Sequence, residues 1–334
     1  MNRKLFSPGS PCRIGHRSHF KRWDSAADRD GADKEGIIKI MKKTGFIAIA
    51  GRPNVGKSTL LNALTGEKIA AVSPKPQTTR NRITGILTKG ETQYVFMDTP
   101  GMHAPKTKLG DYMMNAVSET IGSVDVVLYM VEVDKHISPS EEALLERVRR
   151  GKIPVILLIN KTDVSSAVQV GRTIQTFAAL HSFEAVIPIS ARRGDGLSEI
   201  FDELEPLLHE GPWHFPEDMF TDQPERQIAA EIIREKILRT MEDEIPHGVA
   251  VVIEDFEELP RLVKIRAEIF CEKESHKGIL IGRNGEALKT IGAYAREDLE
   301  KFLGVKVYLD LWVKVKKNWR DSTAQIANFG YREP

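Results

Sequence analysis

The 334-residue sequence has little of several features that would narrow its class at once. Its two cysteines, Cys12 and Cys271, are far apart and form no CxxC pair, which argues against a disulfide framework or a cysteine zinc site. No apolar run reaches the roughly 18 residues that a membrane-spanning helix needs. The formal net charge of +1 provides no overall attraction to polyanions. These absences favour a protein of a reducing compartment, and the length allows two globular domains.

The first part of the chain lacks a sustained apolar period. Residues 1–43 hold 11 Lys and Arg against 5 Asp and Glu. We expect a disordered N-terminal extension here. Two alternatives are an organelle transit peptide, which acidic residues such as Asp24 and Asp28 disfavour, and translation that starts at Met41.

Between residues 44 and 210, short apolar runs alternate with helical patterns. The runs lie at 45–50, 93–98, 125–131, 154–159 and 185–189, and the helical patterns lie near 57–65, 109–121, 139–150, 166–180 and 196–208. This alternation predicts an α/β domain with a mostly parallel sheet and helices on both faces. Ligands of such domains bind at the carboxyl ends of the strands.

A phosphate-binding loop follows the first of these runs. The segment GRPNVGKS fits the loop pattern without mismatch and lies between a predicted strand and a predicted helix. Its backbone N–H groups and the following helix end would surround anionic oxygens, with Lys57 at the β- and γ-phosphates and Ser58 on Mg²⁺. The candidate nucleotide-binding residues of this loop are Gly51, Arg52, Pro53, Asn54, Val55, Gly56, Lys57 and Ser58.

Three further motifs stand at predicted strand ends. Asp98 is a candidate Mg²⁺ ligand, and the N–H of Gly101 can approach a γ-phosphate because glycine has no Cβ. Asp163 can accept hydrogen bonds from N1–H and the amino group of guanine, a donor pair that adenine lacks, so the site selects GTP over ATP. A backbone N–H at Ser190 or Ala191 can donate to guanine O6. The motif residues are Asp98, Thr99, Pro100, Gly101 and Met102; Asn160, Lys161, Thr162 and Asp163; and Ser190 and Ala191.

A polar loop, QTTR, precedes the second predicted strand of this domain. A threonine hydroxyl here would complete the Mg²⁺ coordination, and the loop would order with triphosphate and relax after hydrolysis. The sequence does not choose between Thr78 and Thr79. A solvated polar loop without this role is the alternative.

These motifs, spelled GRPNVGKSTLLNAL, QTTR and DTPG, resemble the Era branch of the translation-factor-related GTPases. Met102 occupies the position of the water-orienting glutamine of Ras-type GTPases and cannot activate water. In related GTPases an asparagine at the Asn54 position helps to bind K⁺, so K⁺ joins Mg²⁺ as a candidate cofactor; the alternative is that Asn54 only caps the loop. We expect slow turnover, with a candidate catalytic set of Lys57, Thr78, Thr79, Gly101 and Asn54.

The pattern changes beyond a Pro-containing linker at 211–223. Residues 224–334 read as helix, strand, strand, helix, GxxG, helix and strand, which resembles an α+β type II KH domain. The glycines of such a tetrad let a single-stranded nucleic-acid backbone approach closely. The candidate RNA-binding residues are Gly282, Arg283, Asn284, Gly285, Lys289, Lys314 and Lys316. A structural glycine turn on a solvated surface is the alternative.

The Era resemblance covers about residues 44–334. It implies a monomeric cytoplasmic GTPase that binds GTP and GDP, contacts the 3′ region of 16S ribosomal RNA, assists assembly of the 30S subunit and associates peripherally with the inner membrane. Two other hypotheses remain at this point. One is a membrane-associated signalling GTPase whose KH fold binds protein, and the other is an RNA-binding protein that uses GTP as a structural ligand.

Overall fold

The computed structural model describes residues 41–102, 105–133 and 137–331. The predicted N-terminal extension therefore lies outside the described residues, apart from its last three positions. Lys43 already belongs to the first strand. Within the described ranges, none of the helices combines the length and the apolar character needed to cross a bilayer.

The first sheet is mostly parallel, as predicted. Its strands run in the order β2-β3-β1-β4-β5-β6; β2 is antiparallel to β3, and the short β7 pairs antiparallel with the start of β1. The strands are β1 (Lys43–Gly51), β2 (Ile83–Lys89), β3 (Thr92–Asp98), β4 (Val126–Glu132), β5 (Val155–Asn160), β6 (Ala185–Pro188) and β7 (His209–Glu210).

Helices cover both faces of this sheet. They are α1 (Lys57–Thr65), α2 (Lys108–Gly122), α3 (Pro139–Gly151), α4 (Ala167–Ala178) and α5 (Leu197–Leu204). The central strands are buried on both sides, with Ile47 and Ile49 of β1 in one apolar layer and Ala48 and Ala50 in the other. Burial on both faces explains why these strands read as continuous apolar runs.

Residues 211–223 contain neither helix nor strand, yet they pack along the edge of the first sheet. The Gln93 side chain accepts from the N–H groups of His214 and Phe215 and donates to the Phe215 carbonyl at 2.9 Å. The hydroxyl of Thr221 donates to the Thr84 carbonyl at 2.6 Å. The segment is therefore fixed to the first sheet.

A second, three-stranded sheet follows this segment in the order β10-β9-β8. Strand β10 is parallel to β9, whereas β8 is antiparallel to β9. Helices α6 and α8 contact this sheet. The elements are α6 (Glu225–Thr240), β8 (Ala250–Leu259), β9 (Leu262–Cys271), α7 (Glu274–Ile281), α8 (Glu286–Leu303), β10 (Lys306–Val315) and α9 (Thr323–Asn328).

Candidate nucleotide site and nucleic-acid groove

The phosphate-binding loop joins β1 to α1, as the sequence predicts. Two of its glycines have positive φ angles, 152° at Gly51 and 106° at Gly56. A Cβ on Gly51 would lie 2.2 Å from the Met130 carbonyl oxygen, and one on Gly56 would lie 2.4 Å from Nδ2 of Asn160. Both positions therefore require glycine, for conformation and for space.

A cavity of about 420 Å³ opens beside this loop. It brings together loops that are more than 100 residues apart in sequence, at the carboxyl ends of the strands. The predicted site residues that line it are Pro53, Asn54, Gly56, Lys57, Ser58, Thr78, Thr79, Gly101, Asn160, Lys161, Asp163 and Ser190. The remaining predicted nucleotide-site residues are not part of the lining: Gly51, Arg52, Val55, Asp98, Thr99, Pro100, Met102, Thr162 and Ala191.

Lys57 marks the phosphate end of the cavity. Its ammonium donates to the carbonyls of Gly51 at 3.1 Å and Arg52 at 2.9 Å, so the loop's own backbone orients it. Burial lowers the pKa of Lys57 to about 8, although Asp98 nearby favours the charged form. No carboxylate of the described residues forms an ion pair with this buried ammonium, and phosphate oxygens would supply such a contact.

Three oxygen-bearing side chains meet next to Lys57. The Ser58 hydroxyl donates to Oδ2 of Asp98 at 2.6 Å, and Oγ1 of Thr79 lies 2.7 Å from Oγ of Ser58 and 3.1 Å from the same carboxylate oxygen. Thr78 is not part of this group, because its hydroxyl donates to the Lys75 carbonyl at 2.6 Å. Of the two threonines that the sequence left open, only Thr79 therefore lies beside Asp98 and Ser58, and its role as a Mg²⁺ ligand stays a prediction.

Asp98 is fully buried, and burial raises the pKa of its carboxyl group, an effect that Lys57, Ser58 and Thr79 partly offset. Its second oxygen, Oδ1, has no hydrogen-bond partner within the described part of the chain. Hard divalent cations such as Mg²⁺ take carboxylate and hydroxyl oxygens as ligands. The donor set and the orphaned oxygen therefore fit a magnesium site.

Thr99, Gly101 and Met102, which follow Asp98, each make a different contact in the structure. The Thr99 hydroxyl donates to the Ile49 carbonyl at 2.8 Å and so extends the contact between β1 and β3 beyond the end of β3. A Cβ on Gly101 would lie 2.7 Å from Cα of Pro53, so this glycine permits close contact with the phosphate-binding loop. Met102 is buried in an apolar cluster with Val117 of α2. Its side chain therefore belongs to the core.

Asn160 connects the phosphate-binding loop to the loop after β6. Its amide nitrogen donates to the Val55 carbonyl at 2.7 Å, and its oxygen accepts from the N–H of Ala191 at 3.0 Å. Asp163 accepts a hydrogen bond from the Ser190 hydroxyl at 2.9 Å through Oδ1. This contact orients the carboxylate that the sequence assigns to guanine.

The predicted donors to guanine O6 are both engaged within the protein. The N–H of Ser190 donates to the Asp195 carbonyl, and that of Ala191 donates to Asn160. The ammonium of Lys161 pairs with Glu132, and the Thr162 hydroxyl donates to the Ile189 carbonyl at 2.9 Å. Their roles toward a base stay predictions.

Two arginines outside the predicted motifs also lie at this end of the cavity. Arg192 lines the cavity, and Nε of Arg193 lies 3.8 Å from Oδ2 of Asp163. Both arginines directly follow the predicted Ser190-Ala191 pair, and this proximity is the sequence feature that indicates them.

The GxxG tetrad forms the short turn between α7 and α8. Gly282 and Gly285 have φ angles of 73° and 80°, and Asn284 between them also has a positive φ of 51°. A Cβ on Gly282 would meet the backbone of Ala287 at 2.9 Å, whereas one on Gly285 would meet nothing within 4 Å. Arg283 and Asn284 are exposed, as residues that contact a ligand must be.

A groove of about 400 Å³ begins at this tetrad and runs between α8 and β10. Its walls combine Lys289 and Arg296 of α8 with the apolar side chains of Leu309 and Leu311 of β10. Lys289 is among the predicted RNA-binding residues, whereas Arg296, two helical turns further along the same face, is not. A groove with a cationic side formed by α8 and an apolar side formed by β10 suits phosphates and bases of a single strand.

Lys314 and Lys316, also predicted to bind RNA, do not line this groove. Alternate residues of a strand face opposite sides, so Lys314 lies on the face away from Leu309 and Leu311. There it pairs with Glu268 of β9. Lys316 is exposed just beyond the end of β10.

One segment, residues 68–80, joins the two sites. It forms a wall of the nucleotide cavity and also lies against the KH-like unit. Glu235 of α6, fully buried, accepts from the N–H of Val72 at 3.3 Å and pairs with Lys68 at 3.3 Å. Further along, Lys75 donates to the Met241 carbonyl, and Arg234 donates to the Thr78 carbonyl.

Arg80 completes this attachment. Its guanidinium is 1% exposed and donates to the carbonyls of Val249 at 2.6 Å and His247 at 2.8 Å and to the Tyr331 hydroxyl at 3.2 Å. Its neighbour Thr79 contacts Ser58 and Asp98 at the phosphate end. A candidate magnesium ligand, Thr79, is therefore the direct chain neighbour of Arg80, which binds the second unit.

Comparisons with known proteins match two separate parts of the chain. A family model described as 50S ribosome-binding GTPase matches residues 46–161, and one described as KH domain matches residues 244–320. The chain is 49% identical over 291 residues to GTPase Era of Ruminiclostridium cellulolyticum, which covers 87% of this chain and 98% of that protein. It is also 49% identical over 291 residues to GTPase Era of Thermoanaerobacter sp. strain X514, with 86% and 96% covered.

Two solved structures are similar over the same extent. One is Era in complex with MgGDPNP and nucleotides 1506–1542 of 16S ribosomal RNA, and the other is an Aquifex aeolicus Era variant bound to GDP and AlF₄⁻. Each has a TM-score of 0.84 and 40% sequence identity, and each comparison covers 87% of this chain and all of the other.

Proposed function

This chain belongs to the Era family of GTPases and hydrolyses GTP to GDP and phosphate, and from that premise we propose that it is a nucleotide-controlled protein that binds small-subunit ribosomal RNA. In this proposal its KH domain binds the 3′ region of 16S RNA and the protein assists assembly of the 30S subunit. The relative crystallised with MgGDPNP and nucleotides 1506–1542 of that RNA supports the choice of ligand.

At the nucleotide site, Lys57 would contact the β- and γ-phosphates and the N–H of Gly101 would approach the γ-phosphate. Asp163 would accept hydrogen bonds from guanine, and Asn160 would keep its loop in contact with the phosphate-binding loop. The burial of Lys57 supports its role, because an electrostatic contact is stronger where water is excluded. Placement and electrostatic stabilisation account for most of the catalysis in phosphoryl transfer.

Ser58, Thr79 and Asp98 would hold Mg²⁺, which when bound neutralises charge on the phosphate oxygens. The relative that contains MgGDPNP supports this assignment. Asn54 is the proposed K⁺ ligand. Its exposure in the lining of the cavity supports access to an ion. Hydrolysis should then be faster in K⁺ than in Na⁺ buffer, and equal rates would refute the assignment.

The observation that carries the proposal is the double attachment of residues 68–80. One end of this segment provides Thr79 to the phosphate site, and contacts spaced along it, from Lys68 to Arg80, bind it to α6 and to the residues before β8. A γ-phosphate that orders Thr79 would favour the docked segment and therefore one arrangement of the KH domain. Nucleotide state would then control access to the groove between α8 and β10.

A matched pair of glycine variants tests the RNA site. Gly285 and Gly304 lie at opposite ends of α8, have φ angles of 80° and 70°, and leave open space around an added Cβ. Gly285→Ala and Gly304→Ala should therefore cost similar stability. We expect Gly285→Ala alone to weaken binding of an RNA with the sequence of nucleotides 1506–1542, by about tenfold. Equal affinity of the two variants would refute the groove assignment.

Cytoplasmic location, peripheral contact with the inner membrane and a monomeric state stay predictions that rest on the family resemblance.

A further inference from the structure

A charged cluster lies behind the phosphate-binding loop, outside the lining of the cavity. Glu141, in the first turn of α3, is fully buried, and its Oε1 lies 3.1 Å from Nε of Arg52. Its other oxygen accepts from the N–H of Ser138 at 2.7 Å. Tyr129 in β4 is also fully buried, and burial raises the pKa of its hydroxyl, an effect to which Glu141 adds.

Helix capping alone does not account for a buried charge at this position. Ser138 and Glu141 form a capping box, in which side chain and backbone bond reciprocally. The same box begins α4, where Ser166 pairs with Gln169, a neutral and exposed residue. A carboxylate removed from water requires a specific partner, since a buried charge without one is strongly unfavourable. At Glu141 that partner is the guanidinium of Arg52.

Arg52 connects this cluster to the phosphate site through its backbone. Its side chain points to Glu141, while its carbonyl accepts from the Lys57 ammonium at 2.9 Å. Any displacement of Arg52 therefore moves one of the two carbonyls that orient Lys57.

We propose that Glu141 is a positioning residue for nucleotide binding, which anchors Arg52 from behind the loop and thereby fixes the carbonyls that aim Lys57 at the phosphates. This inference rests on the proposed role of Lys57. It places the first turn of α3, an element with no residue in the cavity lining, among the determinants of GDP and GTP affinity.

The test is Glu141→Gln in the full chain, with GDP affinity measured by calorimetry. Glutamine keeps the size and the acceptor for Ser138 but removes the charge that holds Arg52. We expect the Kd for GDP to rise about tenfold. The control is Glu142→Gln, an exposed glutamate of the same helical turn, which should leave the Kd within about twofold of wild type. An unchanged Kd in a folded Glu141→Gln variant would overturn the inference.

A double-mutant cycle separates positioning from general stability. Arg52→Gln and the double variant Glu141→Gln/Arg52→Gln should bind GDP as weakly as Glu141→Gln alone, because all three remove the same contact. A purely structural role would lower the melting temperature and leave the Kd of the folded protein unchanged, and additive losses would contradict the pair. Lys57→Ala tests the underlying assignment separately: if that variant retains wild-type GDP affinity, the proposed phosphate role of Lys57 itself is wrong.

Discussion

Replacing Arg80 by alanine should disconnect the nucleotide site from the groove between α8 and β10 that we propose binds RNA. The guanidinium is buried between the 68–80 segment and the KH domain, where it donates to two main-chain carbonyls and to the hydroxyl of Tyr331. Alanine at this position removes the donor for all three acceptors and leaves Thr79 and the phosphate-binding loop unchanged in sequence. The perturbation therefore affects the connection between the sites rather than either site.

The magnitude follows from these contacts. Each hydrogen bond contributes about 1 kcal/mol, and more where the donor is charged, so the docked arrangement of the segment loses about 3 kcal/mol. That loss corresponds to more than about a hundredfold in the docking equilibrium. Coupling between two ligands typically amounts to about 1–3 kcal/mol, so a change of this size is sufficient to abolish it.

The assay is the affinity for the RNA fragment of nucleotides 1506–1542, measured by fluorescence anisotropy with saturating GDPNP and with saturating GDP. Wild type should bind more tightly with GDPNP, and in Arg80→Ala the ratio of the two dissociation constants should fall to about one. Arg82→Ala is the control, because Arg82 is half-buried and its guanidinium has no hydrogen bond to a described residue. A wild-type ratio in folded Arg80→Ala would refute the reasoning.

Further predictions concern the two sites and their interface. Asp98→Asn should weaken Mg²⁺-dependent GTP binding by at least about tenfold while GTP binding in EDTA changes little, because the lost charge belongs to the proposed metal site; filter binding with and without metal measures this. Asp163→Asn should reduce GTP affinity about a hundredfold and improve xanthosine triphosphate binding, because an amide presents a donor to the changed base edge; competition assays measure both. Arg296→Ala should weaken RNA binding and reduce its dependence on salt, as a titration at several KCl concentrations would show. Burial opposes ionisation of Asp298, but hydrogen bonds from Lys236 and Lys68 outweigh this effect and lower the pKa of Asp298 below the ordinary 3.8. The ionised carboxylate therefore contributes its full stabilisation above pH 3.8 and loses it as the pH falls below that value. The difference in unfolding free energy between wild type and Asp298→Asn should accordingly shrink as the pH falls through this range.

Elements with a strong apolar period could be predicted from the sequence, whereas β2 and α9 could not. Strand β2 contains Gly85 in its middle, a residue that usually indicates a loop or bulge. The structure requires glycine there, because a Cβ would lie 2.6 Å from Cδ1 of Leu61 in α1. The reason is tertiary packing, which local propensity does not contain. Helix α9 has only six residues, too few for a helical period.

Most of the residues that line the nucleotide cavity could be located from the sequence because they belong to short motifs whose backbone geometry is local. Thr78 and Thr79 show the limit of that approach. Both are hydroxyl-bearing neighbours, and only the path of the folded segment directs one toward Asp98 and the other toward the Lys75 carbonyl. Lys314 shows a different limit: residue type and position in a family segment suggested RNA contact, but strand alternation puts it opposite the groove.

The attachment of residues 68–80 to the KH domain was not predictable in its details. Arg80 and Arg234 bind main-chain carbonyls more than 150 residues away. Every residue type presents the same carbonyl, so such partners leave no trace in the sequence. Two isolated arginines in a charged chain are therefore indistinguishable from surface residues until the fold is known.

The most direct test of the proposed coupling uses the unmodified protein and relies on reciprocity. If nucleotide and RNA bias the same docked arrangement, saturating RNA must tighten GDPNP binding by the factor by which GDPNP, relative to no nucleotide, tightens RNA binding. Calorimetric titration of GDPNP with and without the 1506–1542 fragment measures this factor. We predict a tightening of at least about fivefold that matches the reciprocal RNA titration. Identical GDPNP affinities with and without RNA would contradict the account.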